Sequence, residues 1–503
     1  MARNLSWLAP IALLLLLLSG SEGFIGMQWG RFATQSLVPS MVVDMLLQNG
    51  IREIRLSSPS PNVMMALQRS ELGVTVALQN DFIKRPKWLS NIKNVSSWVE
   101  ELLVPPVHRG VHIKTLVIME QPFTINRGPI WNLTDIFKET VLAMEEYGLT
   151  HIKPTTSHFT DILKNVTKPS EADFRDDIKD KMLEFLKLLK NSNSFFMYEI
   201  YPIISADVNG WPIEFAFMDN NSSFAIVDGK YTYRNAFEFL FDALVVALEK
   251  AGYPHMEIVL GEIGWPTDGG KYATPENAER FHRGFLKHIA AKKGTPRRPG
   301  KNIDVFLGSL TDENKFAPAL GPMLRHRGIY DFDGTAKYKI DFSGKGRDIY
   351  PITAAGTVKM PSRWCIFNND TSNMTKVDEQ FQIACKYFDC TALYPDSSCS
   401  NLSHSSNVSY AFNMVYQGMN QDQESCYFAG LGVLTPFDPS VGSCKFPVEI
   451  LTAEKVDGGI QVLGYIGYSK STSERLKCYT TLQVLPIGLM LLFMFKKQLN
   501  FLV

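Results

Sequence analysis

No cysteine precedes Cys365, although seven occur in the 503-residue chain. A stretch of more than 300 residues therefore builds its core without disulfides, and it is long enough to do so by apolar burial alone. Net charge is lacking as well: 51 basic residues face 51 acidic ones, with no local run of Lys or Arg. That excludes the electrostatic footprint of a nucleic-acid binder and favours a neutral partner. Nor is there an uninterrupted apolar run of the ~20 residues that a membrane-spanning helix needs. At 45% hydrophobic and 20% charged residues, the chain is not a disordered one either.

Two shorter apolar segments mark the ends. Residues 1–23 carry Arg3, an apolar run peaking at Leu13 to Leu18, and then Ser19, Gly20, Ser21 and Gly23, the order of a secretory signal peptide. Nine N-x-S/T sequons follow, at Asn94, Asn132, Asn165, Asn220, Asn221, Asn369, Asn373, Asn401 and Asn407, a number that fits a secreted glycoprotein. At the other end, Leu482 to Phe495 follows the small residues Ser471, Thr472 and Ser473 and a polar spacer. This is the pattern of a glycolipid (GPI) anchor signal, whose apolar tail is removed. Lys496 and Lys497 interrupt the tail, so a short retained span is the alternative.

Eight apolar runs alternate with helical segments before the cysteines begin: Phe24–Trp29, Ile51–Leu56, Gly73–Leu78, Ile113–Met119, His151–Thr155, Phe195–Tyr201, Met256–Leu260 and Ile303–Leu310. That alternation predicts an α/β fold, a (β/α)8 TIM barrel over residues 24–345. Thr274 followed by Pro275 marks a helix start, with Ala278, Phe281, Phe285 and Ile289 as its inward stripe. After a linker at 346–362, Cys365, Cys385, Cys390, Cys399, Cys426 and Cys444 form an even set. They predict a small disulfide-rich domain over 363–450, followed by a tail at 451–503 that takes in Cys478. No C-x-x-C pair or His spacing suggests zinc instead.

In such a barrel the chemistry belongs at the C-terminal strand ends. The seventh run leads into Gly261, Glu262, Ile263, Gly264 and Trp265, and the fourth into Glu120 and Gln121. Two carboxylates at strand ends suit cleavage of a glycosidic bond, one protonating the leaving oxygen and the other attacking or activating water. Trp265 beside Glu262 offers a flat face to a sugar ring. A strand-end glutamate held in a structural ion pair is the plainer reading of either position.

Longer motifs carry a resemblance. Gly261 to Gly269, Lys293 to Gly300, Gly26 to Gly30, Tyr201 with Pro202, and Arg327 to Ile329 resemble plant glycoside hydrolase family seventeen, the endo-1,3-β-glucanases. Arg363 to Cys365, Asp389 to Leu393, Ser409 to Asn413 and Tyr416 resemble the callose-binding module often appended to them. The resemblance implies a retaining hydrolase with Glu262 as nucleophile. It also implies bridges Cys365–Cys426, Cys385–Cys390 and Cys399–Cys444, and substrate contacts from Tyr201, Trp265, Asn80, Glu313 and Lys315. Read without gaps, it places Glu120 on the family's asparagine and Gln121 on its general acid, and a glutamine amide cannot donate that proton. Other departures mark an atypical branch: Gln28 stands for the usual asparagine, Ser57 to Pro61 lose two acidic positions, and Glu313 and Lys315 sit one residue closer than usual.

Two functions follow as expectations. One is an endo-1,3-β-glucanase acting on callose at the cell wall and the outer face of the plasma membrane, with Glu120 as a displaced acid and activity reduced. The other is a silenced β-1,3-glucan-binding wall protein. Neither calls for a metal or redox cofactor, because carboxylates suffice for the reaction. Tyr410, Phe412 and Tyr416 present ring faces to sugar or pack the small domain's core.

Overall fold

The computed structural model describes residues 23–78, 93–124, 133–219, 221–316, 321–456 and 459–463. The expected signal segment, the anchor signal with Cys478, and Asn80 lie outside these residues. Eight parallel strands close into a barrel in chain order: β1 (Ile25–Trp29), β2 (Glu53–Leu56), β3 (Gly73–Ala77), β4 (His112–Glu120), β5 (Lys153–Phe159), β6 (Phe196–Ile200), β7 (Ile258–Ile263) and β8 (Asp304–Leu307). Each falls on one of the eight expected runs. Their inward side chains Ala77, Val117, Met197, Val259 and Phe306, with Phe195 and Phe24, fill the lower barrel. The outward ones join the large core beneath the helices.

The helix Pro275–Ala290 starts as the sequence requires, with Thr274 Oγ1 accepting from Asn277 N at 3.2 Å. It buries Ala278, Phe281 and Phe285. The helix Ala236–Lys250 is capped by Asn235, which accepts from Glu238 N, and its apolar residues, interrupted by Glu238 and a buried Asp242, are buried on nearly every side.

Two irregularities aim the mouth of the barrel. Along β4 and β5, Val117 pairs with Thr155 but Met119 pairs with Thr156, so one extra residue bulges. Along β6 and β7, Tyr198 pairs with Leu260 but Glu199 pairs with Glu262, and Gly261 is the extra residue. In an unbroken strand, residues three apart point to opposite faces; a bulge brings them to the same one. Val117 and Val259 point inward, and the bulges turn Glu120 and Glu262 inward above them.

The cysteine domain pairs Trp364–Phe367 with Gly432–Thr435 and packs them against the helices Met374–Tyr387 and His404–Gly418. Its bridges are Cys365–Cys426, Cys385–Cys390 and Cys399–Cys444, as the resemblance implied. Phe412 stacks on Phe428 at 3.7 Å, Tyr410 packs edge-on against Phe446, and Tyr416 is buried. These three rings belong to the core, not to an open sugar-binding face. Because that core is small, removing Cys365–Cys426 by a paired Ser substitution is expected to cost about 2–5 kcal/mol. Calorimetry should show the domain's transition falling while the barrel's transition persists.

Candidate active site

Four carboxylates and two guanidinium groups meet at the C-terminal mouth of the barrel. Arg55 leaves β2 inward and is almost completely buried. Its Nη2 lies 3.0 Å from Glu120 Oε1 and 2.7 Å from Glu199 Oε1. The same nitrogen donates to Ser157 Oγ at 3.2 Å, while Nη1 donates to the Gly261 carbonyl at 2.9 Å. One side chain thus ties β2 to β4, β5, β6 and β7. Arg327, beyond β8, pairs with Glu262 through Nη1 and with Glu313 Oε2 at 3.0 Å through Nη2. It also donates to Tyr201 Oη at 2.5 Å. Glu313 is fixed from its other side by the amides of Arg31 and Phe32.

Small residues make room for this cluster. A Cβ on Gly308 would overlap the Glu262 side chain, and one on Gly30 would overlap Glu313. Glycine at these two places lets buried carboxylates lie against the main chain.

Burial raises both strand-end acids, and their neighbours modulate the rise. Burial pushes the Glu120 carboxyl up to about 7, against the pull of Arg55, and the charges of Glu199, Glu262 and Glu313 add to the rise. Glu120 nevertheless keeps 24% of its side chain exposed, the most open of the three strand-end acids. Glu262 is raised by burial while Arg327 opposes the rise. Burial likewise pushes the Tyr201 phenol well up, keeping it neutral.

Gln121 takes a left-handed backbone, φ +51°, while its N–H still donates to the Ser157 carbonyl. The turn carries its amide away from the β4 line, and Nε2 donates to Glu199 Oε2 at 2.6 Å. Gln28 Nε2 donates to Ser57 Oγ at 2.9 Å, while Gln28 Oε1 is buried without a hydrogen-bond partner among the described residues.

The structure therefore brings together Glu120, Gln121, Tyr201, Glu262 and Glu313. It does not bring Trp265 to the cleft. That indole is fully buried, stacked at 4.5 Å on Phe217, with its N–H donating to the Tyr272 carbonyl. Following a strand-end glutamate does not reveal which way an indole points, and here a Phe-rich helix layer claims it. Lys315 is exposed, its N–H donating to the Phe32 carbonyl. Sequence reasoning missed Arg55 and Glu199, and it quoted Arg327 without giving it a role. The usable signal for the first two was a single charge inside an apolar run, Ile54-Arg55-Leu56 and Tyr198-Glu199-Ile200, which only a buried partner can stabilise.

Residues 25–342 match the model of glycosyl hydrolases family 17. The chain belongs to glycosyl hydrolases family 17. Residues 363–433 match the X8 domain. Among curated relatives of this family 17 chain, glucan endo-1,3-beta-glucosidase 8 of Arabidopsis thaliana is 36% identical over 437 residues, covering 85% of this chain and 90% of its own. Glucan endo-1,3-beta-glucosidase 5 of the same plant is 36% identical over 441 residues, covering 85% and 88%. Among solved structures, CJP38, a β-1,3-glucanase and allergen of Cryptomeria japonica pollen, is 28% identical with a TM-score of 0.60 over 64% of this chain and 99% of that one. No helix among the described residues is long and apolar enough to cross a membrane.

The Gln121–Glu199 contact makes a sharp prediction. Gln121→Glu would set two buried carboxyls at hydrogen-bond distance, so one must keep a proton, its folded pKa raised above the unfolded value of about 4.3. Stability is then intact at pH 4 and is lost as pH rises through the raised value. Urea unfolding should show a deficit against the native chain of about 1–3 kcal/mol at pH 8 and little at pH 4.5. Gln121→Glu with Glu199→Gln should remove that pH dependence, while the charge it takes from Arg55 leaves a deficit at all pH values.

Proposed function

We propose that this protein is a retaining endo-hydrolase of β-1,3-glucan in which Glu120 replaces the missing acid at position 121. The observation that carries this reading is the inward, partly exposed Glu120 carboxyl, held near 7 beside a buried cluster. A general acid works best with a pKa near the operating pH. Glu262 would attack the anomeric carbon as Glu120 gives its proton to the glycosidic oxygen and the C–O bond breaks. Water would then release the glycosyl-enzyme, with the Glu120 carboxylate taking the water's proton. Arg327 favours the ionised Glu262 that attack requires, while Glu199 competes with Glu120 for Arg55. Burial raises both carboxyls, and the ion pair with Arg327 is what opposes that rise at Glu262.

One observation favours the second reading, a glucan-binding wall protein without turnover. The side chain at position 121 is an amide already engaged by Glu199, and it supplies no proton. Placement at the wall and the outer membrane face is also part of the proposal. It rests on the end segments of the sequence, and release of the protein from intact cells by a phosphatidylinositol-specific phospholipase would test it.

Hydrolysis of a linear β-1,3-glucan by the full chain decides between the readings. Glu120→Gln is expected to lower kcat/KM roughly 100- to 10,000-fold, and the native profile should fall above about pH 7, where Glu120 loses its proton. No turnover in the native chain, with binding retained, would establish the binding protein instead. Turnover unaffected by Glu120→Gln would remove that residue from the acid role.

A further inference from the structure

The X8 domain touches the barrel beside Arg327. Asp389 Oδ1 accepts from Arg325 Nη1 at 2.7 Å in an ion pair that is buried on both sides. Thr391, whose hydroxyl and N–H both donate to Asp389 Oδ1, is hydrogen-bonded through that hydroxyl to His326 Nε2 at 2.8 Å. Ser398 donates to Asp268 through its N–H, at 2.8 Å, and through its hydroxyl. Asp268 and Arg325 lie on the segments that follow Glu262 and precede Arg327.

From Arg325 the contacts continue to the reacting groups. Its Nε donates to the Phe316 carbonyl at 2.7 Å, and its own carbonyl accepts from Glu313 N. Glu313 carries one of the two carboxylates that hold Arg327. The His326 carbonyl accepts from Thr267 N, joining the same segment to the end of β7. Burial opposes a charged His326, but Asp312 and Asp389 outweigh it and raise its pKa. A removed partner here leaves a buried charge uncompensated, not a loose surface contact.

We propose that Asp389, with Thr391 and Ser398, is a positioning residue of the hydrolytic site: the X8 domain braces the Pro322–Gly328 segment and so fixes Arg327 against Glu262 and Glu313. The domain is then an outer support of the active site as well as an appendage to it. This rests on the hydrolase reading only for its effect on rate. The bracing itself is a property of the folded chain.

The test uses the full chain and two readouts. In Asp389→Asn and, from the barrel side, Arg325→Met, amide hydrogen exchange across Pro322–Gly328 should accelerate, while Phe437→Ala on the exposed face of the domain changes nothing. With a soluble β-1,3-linked oligosaccharide, kcat should fall roughly 10- to 100-fold, the scale of a small displacement at a reacting group, while KM moves less than about twofold. Ser398→Ala removes one hydroxyl and guards against misfolding; it should show the same split to a smaller degree. Unchanged exchange in both main variants overturns the proposal, and so does faster exchange with unchanged kcat. A native chain without turnover overturns the hydrolase reading instead, and the exchange measurement then decides the bracing alone.

Discussion

The mouth of this barrel depends on one buried cation. Arg55 has almost no exposure to water, and a guanidinium stripped of solvent costs several kcal/mol unless charge and hydrogen bonds replace its hydration. Glu120, Glu199, Ser157 and the Gly261 carbonyl supply that replacement from four different strands. Breaking any one of these contacts disturbs the others, because a shared cation redistributes its field among the remaining partners. The arrangement leaves more carboxylates than guanidinium groups in a poorly solvated space. Some acid in the cluster must hold a proton near neutral pH, and the most exposed of the strand-end carboxyls, Glu120, is the one that exchanges it most readily.

The two β-bulges explain why the site was only partly legible in the sequence. Apolar runs of strand length, Thr274 with Pro275, and six cysteines after Cys365 state their structural meaning locally, so the barrel and its small companion were legible. Strand alternation reads a strand only until an extra residue intervenes. From Val117, strict alternation turns Glu120 outward, whereas the extra residue brings it inward, and the left-handed backbone at Gln121 keeps that amide at the mouth as well. Glu262 was found through the motif around it, yet the same bulge logic at Gly261 aims its side chain. Arg55 and Glu199 were overlooked because each was a lone charge whose partner lies on another strand, 144 positions away in the chain. Trp265 was misplaced because a residue after a strand end has two faces available, and Phe217 with Phe281 covers the ring.

The polar residues at the mouth form linked sets. An amide at 121 beside a carboxylate at 199 is a donor–acceptor match, and a carboxylate at 120 beside Arg55 is a charge match. Gln28 Nε2 and Ser57 Oγ make a further donor–acceptor pair. Replacing one member alone creates a like-charge contact or an unfilled donor, at a cost of about 1–3 kcal/mol each when buried. Single reversions toward the family pattern are therefore poor probes of what this site does, and paired ones are needed.

The two arginines divide the work differently. Arg55 is anchored wholly within the barrel strands, so its position is set when the barrel closes. Arg327 lies beyond β8 on irregular chain, held by contacts with Tyr201, Glu262 and Glu313 and flanked by Arg325 and His326. Irregular segments are the softer parts of a barrel's active face. Glu120, resting on Arg55, is thus held as firmly as the strands themselves, whereas Glu262 is paired with a loop whose outer edge is an ion pair to another domain. Loosening that edge would weaken the pairing that favours an ionised Glu262 while leaving the Arg55 anchor of Glu120 in place, so it would reach Glu120 only through the charges of Glu262 and Glu313.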